Sequence, residues 1–378
     1  MSQSRSSGFF DVAPLLSRMV LSAIVHALTY PFRSVRCTAL TNDVLNAVTR
    51  CALEHITIPQ SRYLLPSTTA AYVALCKKRA VAPNTINVDI LHAGSVEAHW
   101  IGASDADTVI LYFHGGGYTQ PMNEGIPRYL LRLLSDLNSQ TTRCRSIAVL
   151  VVAYTLAPEA TYPTQLKEAS AVLSHLITNT GRNPSDIFLS GDSAGGNLGL
   201  ALISHLLHPH PEVTAVRLEQ PLAGMLLYSP WAGFSTDYSS FDNIALDLMS
   251  PLALRKWSAM FLGKANKNDP ESDPGSVSGD AYTEACKNDA SWWNDMHRIV
   301  SDVFVSYGGY ELLADSIKEL EIQMKRGWAQ GGGDPSRVVF LKGAKEAHVA
   351  QISDIMIHGA KSSSQVAIEN WYKARLQL

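Results

Sequence analysis

The chain has 378 residues, 46% of them hydrophobic, which suits one large α/β domain with an added cap better than two small domains. A formal net charge of −3 and a pI near 6.5, with no Lys/Arg run, leave no electrostatic footprint for nucleic acid and point to a small-molecule partner. Five cysteines, odd in number and scattered, with no CxxC and no histidine cluster, argue against a disulfide framework and a zinc site.

The only Asn-x-Ser/Thr pattern that comes into view, Asn183-Pro184-Ser185, is excluded as a glycosylation acceptor by its proline. Both features fit an intracellular protein, cytoplasmic or peripherally attached to a membrane. Residues 12–28 are strongly apolar, with Arg18, Ser22 and His26 recurring every four residues on one helical face. The pattern predicts an amphipathic helix starting near Asp11–Pro14 and stopping at Pro31. At about 17 residues, with Arg18 inside, it falls short of the roughly 20 a span requires, and no small-residue cleavage site stands out. It reads as a helix packed on the protein's own surface, or as one lying in a membrane interface or lining a substrate entrance, so that residues 12–30 are a candidate for peripheral membrane contact.

Residues 1–95 read as a helical N-terminal or cap segment, with a second helix near 70–78. Six short, continuous apolar runs follow, at 108–113 (TVILYF), 147–153, 187–190, 225–228, 303–307 and 338–341. Runs that do not alternate imply strands buried on both faces, and helical-length segments between most of them imply a mainly parallel, doubly wound sheet. The expected division is the first part of the α/β core at 96–230, an inserted helical cap at 231–300, and the second part of the core at 301–378. The insertion is too long to be structureless. Its aromatics, among them Trp231, Phe234, Trp257, Phe261, Trp292 and Trp293, suit either cap core or pocket lining.

Two glycine motifs carry the chemistry. The strand at 108–113 runs into His114-Gly115-Gly116-Gly117, where glycines let rigid backbone N–H donors approach a carbonyl oxygen on which charge develops. Gly116 and Gly117 are candidate oxyanion-hole donors, with Ala194 as the third. The strand at 187–190 runs into Gly191-Asp192-Ser193-Ala194-Gly195 and then a long apolar helix. This is the spacing of a nucleophile elbow, which makes Ser193 the candidate nucleophile. Chance alone would produce a bare GxSxG in such a chain about one time in six, so the HGGG segment is the stronger signal. Asp192 is expected to stabilise the elbow rather than act chemically.

A serine nucleophile needs a base, and the base an orienting acid. His348, in the loop after the last strand, is the best-placed base; His358 is its nearest rival. Glu311, closest to the end of the strand at 303–307, is the candidate acid, with Asp315 one helical turn later as the alternative. The order Ser193, Glu311, His348 is that of α/β-hydrolases.

With these residues assembled, HGGG at 114–117, Tyr154-Thr155-Leu156-Ala157-Pro158-Glu159 and GDSAGG at 191–196 resemble the hormone-sensitive-lipase family of α/β-hydrolases. Ser229-Pro230-Trp231 and Gly308-Gly309-Tyr310-Glu311 look particularly like its fungal members, including steryl acetyl hydrolases and secondary-metabolite esterases. The resemblance implies an α/β-hydrolase fold with a helical cap and a serine carboxylic-ester hydrolase that needs no cofactor or metal. Its partner would be a bulky hydrophobic ester, an acetylated sterol or a secondary metabolite. This chain departs from the family at Thr155, where Arg is frequent, and at Glu311, where Asp is common. GDSAGG also resembles the serine loop of chymotrypsin-like proteases, but that fold demands histidine and aspartate before the serine and an all-β pattern. An acyltransferase or cyclase using the same site, and a non-catalytic binding protein on the same scaffold, are the remaining alternatives. Oligomeric state is not written in the sequence.

Overall fold

The computed structural model describes residues 8–91, 94–139, 145–357 and 361–376. Four helices open the chain: α1 (Phe9–Thr29), α2 (Leu40–His55), α3 (Ile58–Leu64) and α4 (Thr68–Lys78). Local chemistry sets their starts. Asp11 reaches back to the Gly8 amide at 2.8 Å, Thr57 and Gln60 form a reciprocal capping box on α3, and Ser67 caps α4 through the Ala70 amide.

The first helix is longer than expected. It has 21 residues, and with the 3₁₀ turn Tyr30–Phe32 that follows, the stretch Phe10–Phe32 is by length and composition long and apolar enough to cross a membrane. Pro14 lies inside the helix rather than marking its start, which is why the sequence made it too short. Of its polar stripe, Ser22 and His26 turn inward beside the buried Val12 and Leu15, while Arg18 is exposed. Ser22 donates to the carbonyl of Ala47, and the His26 ring meets Asp43 at 3.1 Å. Asp43 is buried and is also held by Arg33. The outward face carries Phe10, Val20, Leu21, Ile24, Val25 and Leu28, all exposed.

A single eight-stranded sheet follows in the order β1-β2-β4-β3-β5-β6-β7-β8. Strands β1 (Thr85–Ile90) and β2 (Gly94–Ile101) are antiparallel additions, β2 pairing with β4 through Ala98↔Val152. The other six run parallel: β3 (Thr108–Phe113), β4 (Ile147–Val152), β5 (Ile187–Asp192), β6 (Gly224–Tyr228), β7 (Val303–Gly308) and β8 (Val338–Gly343). They coincide with the six predicted runs. Side chains of β3 alternate between two cores, Val109, Leu111 and Phe113 on one face and Ile110 and Tyr112 on the other. The first face is covered by α6 (Thr164–Thr178), α7 (Ala194–Leu207) and α9 (Ala314–Gln330), the second by α5 (Gly125–Asn138) and α11 (Ser363–Leu376).

Between β6 and β7 the chain forms short 3₁₀ turns and one α-helix, α8 (Pro251–Phe261), capped by Ser250. Trp231, Phe234, Trp257, Phe261 and Trp293 are all buried in the main core. A last short helix, α10 (Ala350–Ile357), precedes α11. Cys37, Cys51, Cys76 and Cys286 are free thiols.

Candidate active site

All site residues lie at the carboxyl ends of the parallel strands, where open α/β sheets place their ligands. Strand β5 ends in Asp192 and α7 begins at Ala194, so Ser193 must turn the chain through one residue. It does so at φ 52° and ψ −117°, a conformation that non-glycine residues rarely adopt. The flanking glycines are sterically required. A Cβ on Gly195 would collide with the carbonyl oxygen of Phe113, and one on Gly191 would lie 2.5 Å from that of Gly195.

Ser193 Oγ lies 2.9 Å from Nε2 of His348, which sits in the loop between β8 and α10. On the far side of the imidazole, Nδ1 faces Glu311 Oε1 at 3.7 Å, and neither atom has another hydrogen-bond partner. The other oxygen of Glu311 is saturated: Oε2 accepts from Ser229 Oγ at 2.6 Å and from the Gly308 amide at 2.7 Å. Glu311 and His348 are both buried. Burial pushes the Glu311 carboxyl above the usual range, with the facing His348 ring and the hydrogen bond from Ser229 holding it back and the charge of Asp247 adding to the rise. Burial also works against the His348 imidazolium, but Glu311, Asp247 and Asp192 outweigh it, so the imidazole is more basic than usual.

The structure therefore brings Ser193, His348 and Glu311 together. The alternative acid, Asp315, is occupied elsewhere, accepting from Ser239 Oγ at 2.7 Å and the Ser240 amide at 2.8 Å. His358 lies outside the described residues.

The HGGG segment is shaped from several sides. Asp192 Oδ1 accepts from the Gly115 amide at 2.8 Å and from Tyr112 Oη at 2.7 Å, an elbow residue thus holding the neighbouring loop. Its carboxyl, fully buried, is pushed up to about 6 by desolvation. His114 is neutral, its pKa lowered to about 4 by burial. Its Nδ1 bonds the Gly115 carbonyl at 2.7 Å, and its Nε2 meets Thr68 Oγ1 at 3.0 Å. Thr68 Oγ1 in turn accepts from the Met122 amide. Gly116 and Gly117 have φ of 120° and 59°. The amides of Gly116, Gly117 and Ala194 find no acceptor among the described residues, so all three donors remain available. Trp257 of α8 lies so close over Gly117 that a Cβ there would strike its ring.

Two contributors carried no sequence signal of their own, Thr68 on α4 and Asp247, and Ser229 stood out only as part of a family-like segment, with no hint that it joins the Glu311 carboxylate to the Val349 amide (3.1 Å). The positive φ of Ser229, 44°, is visible only in three dimensions.

Comparison with known proteins agrees with this fold. Residues 110–331 match the family described as alpha/beta hydrolase fold. The chain is 31% identical over 173 residues to an acetyl-hydrolase-like protein of Mycobacterium tuberculosis, covering 45% of this chain and 51% of that one. It is 25% identical over 233 residues to steryl acetyl hydrolase 1 of Saccharomyces cerevisiae, covering 58% and 48% respectively. The chain thus spans about half the length of these curated relatives. Among solved structures, an esterase of the bacterial hormone-sensitive lipase family superposes with a TM-score of 0.58 at 20% identity, over 100% of this chain and 99% of that one. With the elbow, the glycine loop and the histidine gathered at one end of a parallel sheet, the chain belongs to the α/β-hydrolase fold family.

Proposed function

We propose that the chain is a serine carboxylic-ester hydrolase that works through an acyl-enzyme. The observation that carries this reading is the 2.9 Å contact between Ser193 Oγ and His348 Nε2 at a strained elbow, with Glu311 behind the imidazole. His348 Nε2 takes the serine proton as Oγ attacks the ester carbonyl. Glu311 fixes the tautomer with the proton on Nδ1 and stabilises the imidazolium. The amides of Gly116, Gly117 and Ala194 receive the oxyanion, and His348 then protonates the leaving alcohol. Water, deprotonated by the same imidazole, clears the acyl group. The named activities of the relatives, acetyl-hydrolase and steryl acetyl hydrolase, favour an acetyl ester of a bulky hydrophobic alcohol as the substrate class. The test compares wild type with Ser193→Ala on p-nitrophenyl esters of increasing acyl length and on an acetylated sterol. Turnover that favours short acyl groups and depends on Ser193 supports the reading; equal turnover by Ser193→Ala refutes it.

We further propose that α1 rests on a membrane surface. Its support is the arrangement of the helix, with Ser22 and His26 bonded to α2 and Val20, Leu21, Ile24, Val25 and Leu28 left exposed on the other side. Those inward bonds lay the helix along the protein, which suits an interfacial position better than a spanning one. Full-length protein should float with phospholipid vesicles, be released from them by alkaline carbonate, and lose flotation in Leu21→Glu/Leu28→Glu. Retention after carbonate would indicate a span instead.

A further inference from the structure

The loops that carry Glu311 and His348 share one partner. Asp247, between the 3₁₀ turn Ser239–Ala245 and α8, is completely buried. Its Oδ2 accepts from the Leu312 amide at 2.8 Å, and its Oδ1 accepts from the His348 amide at 2.9 Å. Oδ1 also receives the Leu248 amide at 2.8 Å, which fixes the rotamer. The Leu312 amide belongs to the peptide that begins at Glu311, so one carboxylate grips the backbone of the acid and of the base at once. That spacing matters because Nδ1 and Oε1 face each other at 3.7 Å with no other partners. A small shift of either loop decides whether the hydrogen bond forms.

The carboxylate is itself braced from α2. Arg50 donates to the carbonyls of Ile244 and Asp247, and Asn46 Nδ2 donates to the carbonyl of Leu246 at 2.8 Å. The Arg50 charge also offsets that of the buried Asp247.

We propose that Asp247 is a positioning residue that sets the separation of Glu311 and His348, with Arg50 as its brace. The proposal rests on the serine-esterase reading above. Three N–H donors converge on two oxygens, an arrangement an amide cannot reproduce, because its NH₂ would face one of the donors. The groups around the His348 ring are Glu311 from the loop after β7, Asp247 from the inserted segment, and Asp192 from the end of β5. Removing the Asp247 charge and loosening Glu311 both make the imidazole less basic.

The experiment measures kcat and KM per fluorophosphonate-titrated site, as a function of pH, for wild type, Asp247→Asn, Arg50→Met and Asp315→Asn. Asp315→Asn is the control, since its carboxylate holds Ser239 and Ser240 of the same inserted segment and makes no hydrogen bond to Leu312 or His348. Asp247→Asn should lose about 10²-fold in kcat with KM changed by less than about twofold, the scale of a mispositioned catalytic group. Its acid limb in kcat/KM should move to lower pH, which a loss of stability alone would not produce. Asp315→Asn should keep wild-type kcat and acid limb. A kcat for Asp247→Asn within about threefold of wild type, or an unmoved acid limb, overturns the proposal. If Asp247→Asn does not fold, Arg50→Met decides, because it removes the brace and leaves the carboxylate: a kcat loss of about tenfold at constant KM supports the proposal, and an unchanged kcat overturns it. A wild type that neither hydrolyses the esters nor takes up the fluorophosphonate removes the esterase reading and this proposal together, and needs no variant to show it.

Discussion

Replacing Glu311 with Gln separates the orienting role of this residue from its structural one. Oε2 holds Ser229 and the Gly308 amide, and a glutamine carbonyl oxygen can accept from both. The NH₂ group then occupies the Oε1 position, 3.7 Å from His348 Nδ1. As a donor it makes Nδ1 the acceptor, moves the ring proton to Nε2, and leaves Ser193 facing an N–H instead of a base. The corresponding substitution in the Ser-His-Asp template lowers kcat about 10⁴-fold through the wrong tautomer. The long contact here makes 10³ to 10⁴ the expected loss, about 4 to 5.5 kcal/mol of transition-state stabilisation. Folding should change little, within about 1 kcal/mol, because both structural hydrogen bonds survive and a buried carboxyl is replaced by a neutral group. The assay is kcat per titrated site on p-nitrophenyl acetate alongside thermal melting. Retention of more than about a tenth of wild-type kcat, or a larger loss in Asp315→Asn, refutes the assignment of the acid.

Other consequences can be checked with the same preparations. Gly117→Ala places a methyl group against the Trp257 ring at φ 59°; left-handed strain of about 1–2 kcal/mol and overpacking of about 1–3 kcal/mol should lower stability by about 2–5 kcal/mol in urea unfolding. The displaced donor should cost a further 10² to 10³ in kcat. Because His348 must be neutral to accept the serine proton and its pKa is raised, activity should disappear as pH falls through a midpoint above the ordinary histidine value of about 6.5. A midpoint below that value in kcat/KM would contradict the electrostatic picture.

Much of this was legible in the sequence, for reasons that differ from element to element. Strand β3 has the predicted limits because all six residues are buried, so no exposed position blurs the run. The same logic hid β1 and β2. Thr85, Asn87 and Asp89 alternate with apolar residues on an edge strand that is only partly buried, and no continuous run marks it. Ser193 was legible because its turn forbids side chains at Gly191 and Gly195, a constraint written directly as glycine. Asp247 was illegible because its role is to accept backbone amides from residues 65 and 101 positions away, which leaves no local pattern. The orientation of α1 was illegible for a different reason. Amphipathicity gives the two faces of a helix, and the buried Asp43 waiting for His26 decides which face turns inward.

The central claim is that Ser193 is the acyl-accepting nucleophile. Treating the full-length protein with a fluorophosphonate and mapping the adduct by mass spectrometry tests it most directly. One phosphonyl group per chain, on Ser193, with activity lost in proportion and no labelling of Ser193→Ala or His348→Ala, is the predicted result. An adduct on another residue, or undiminished ester hydrolysis by Ser193→Ala, would contradict the account.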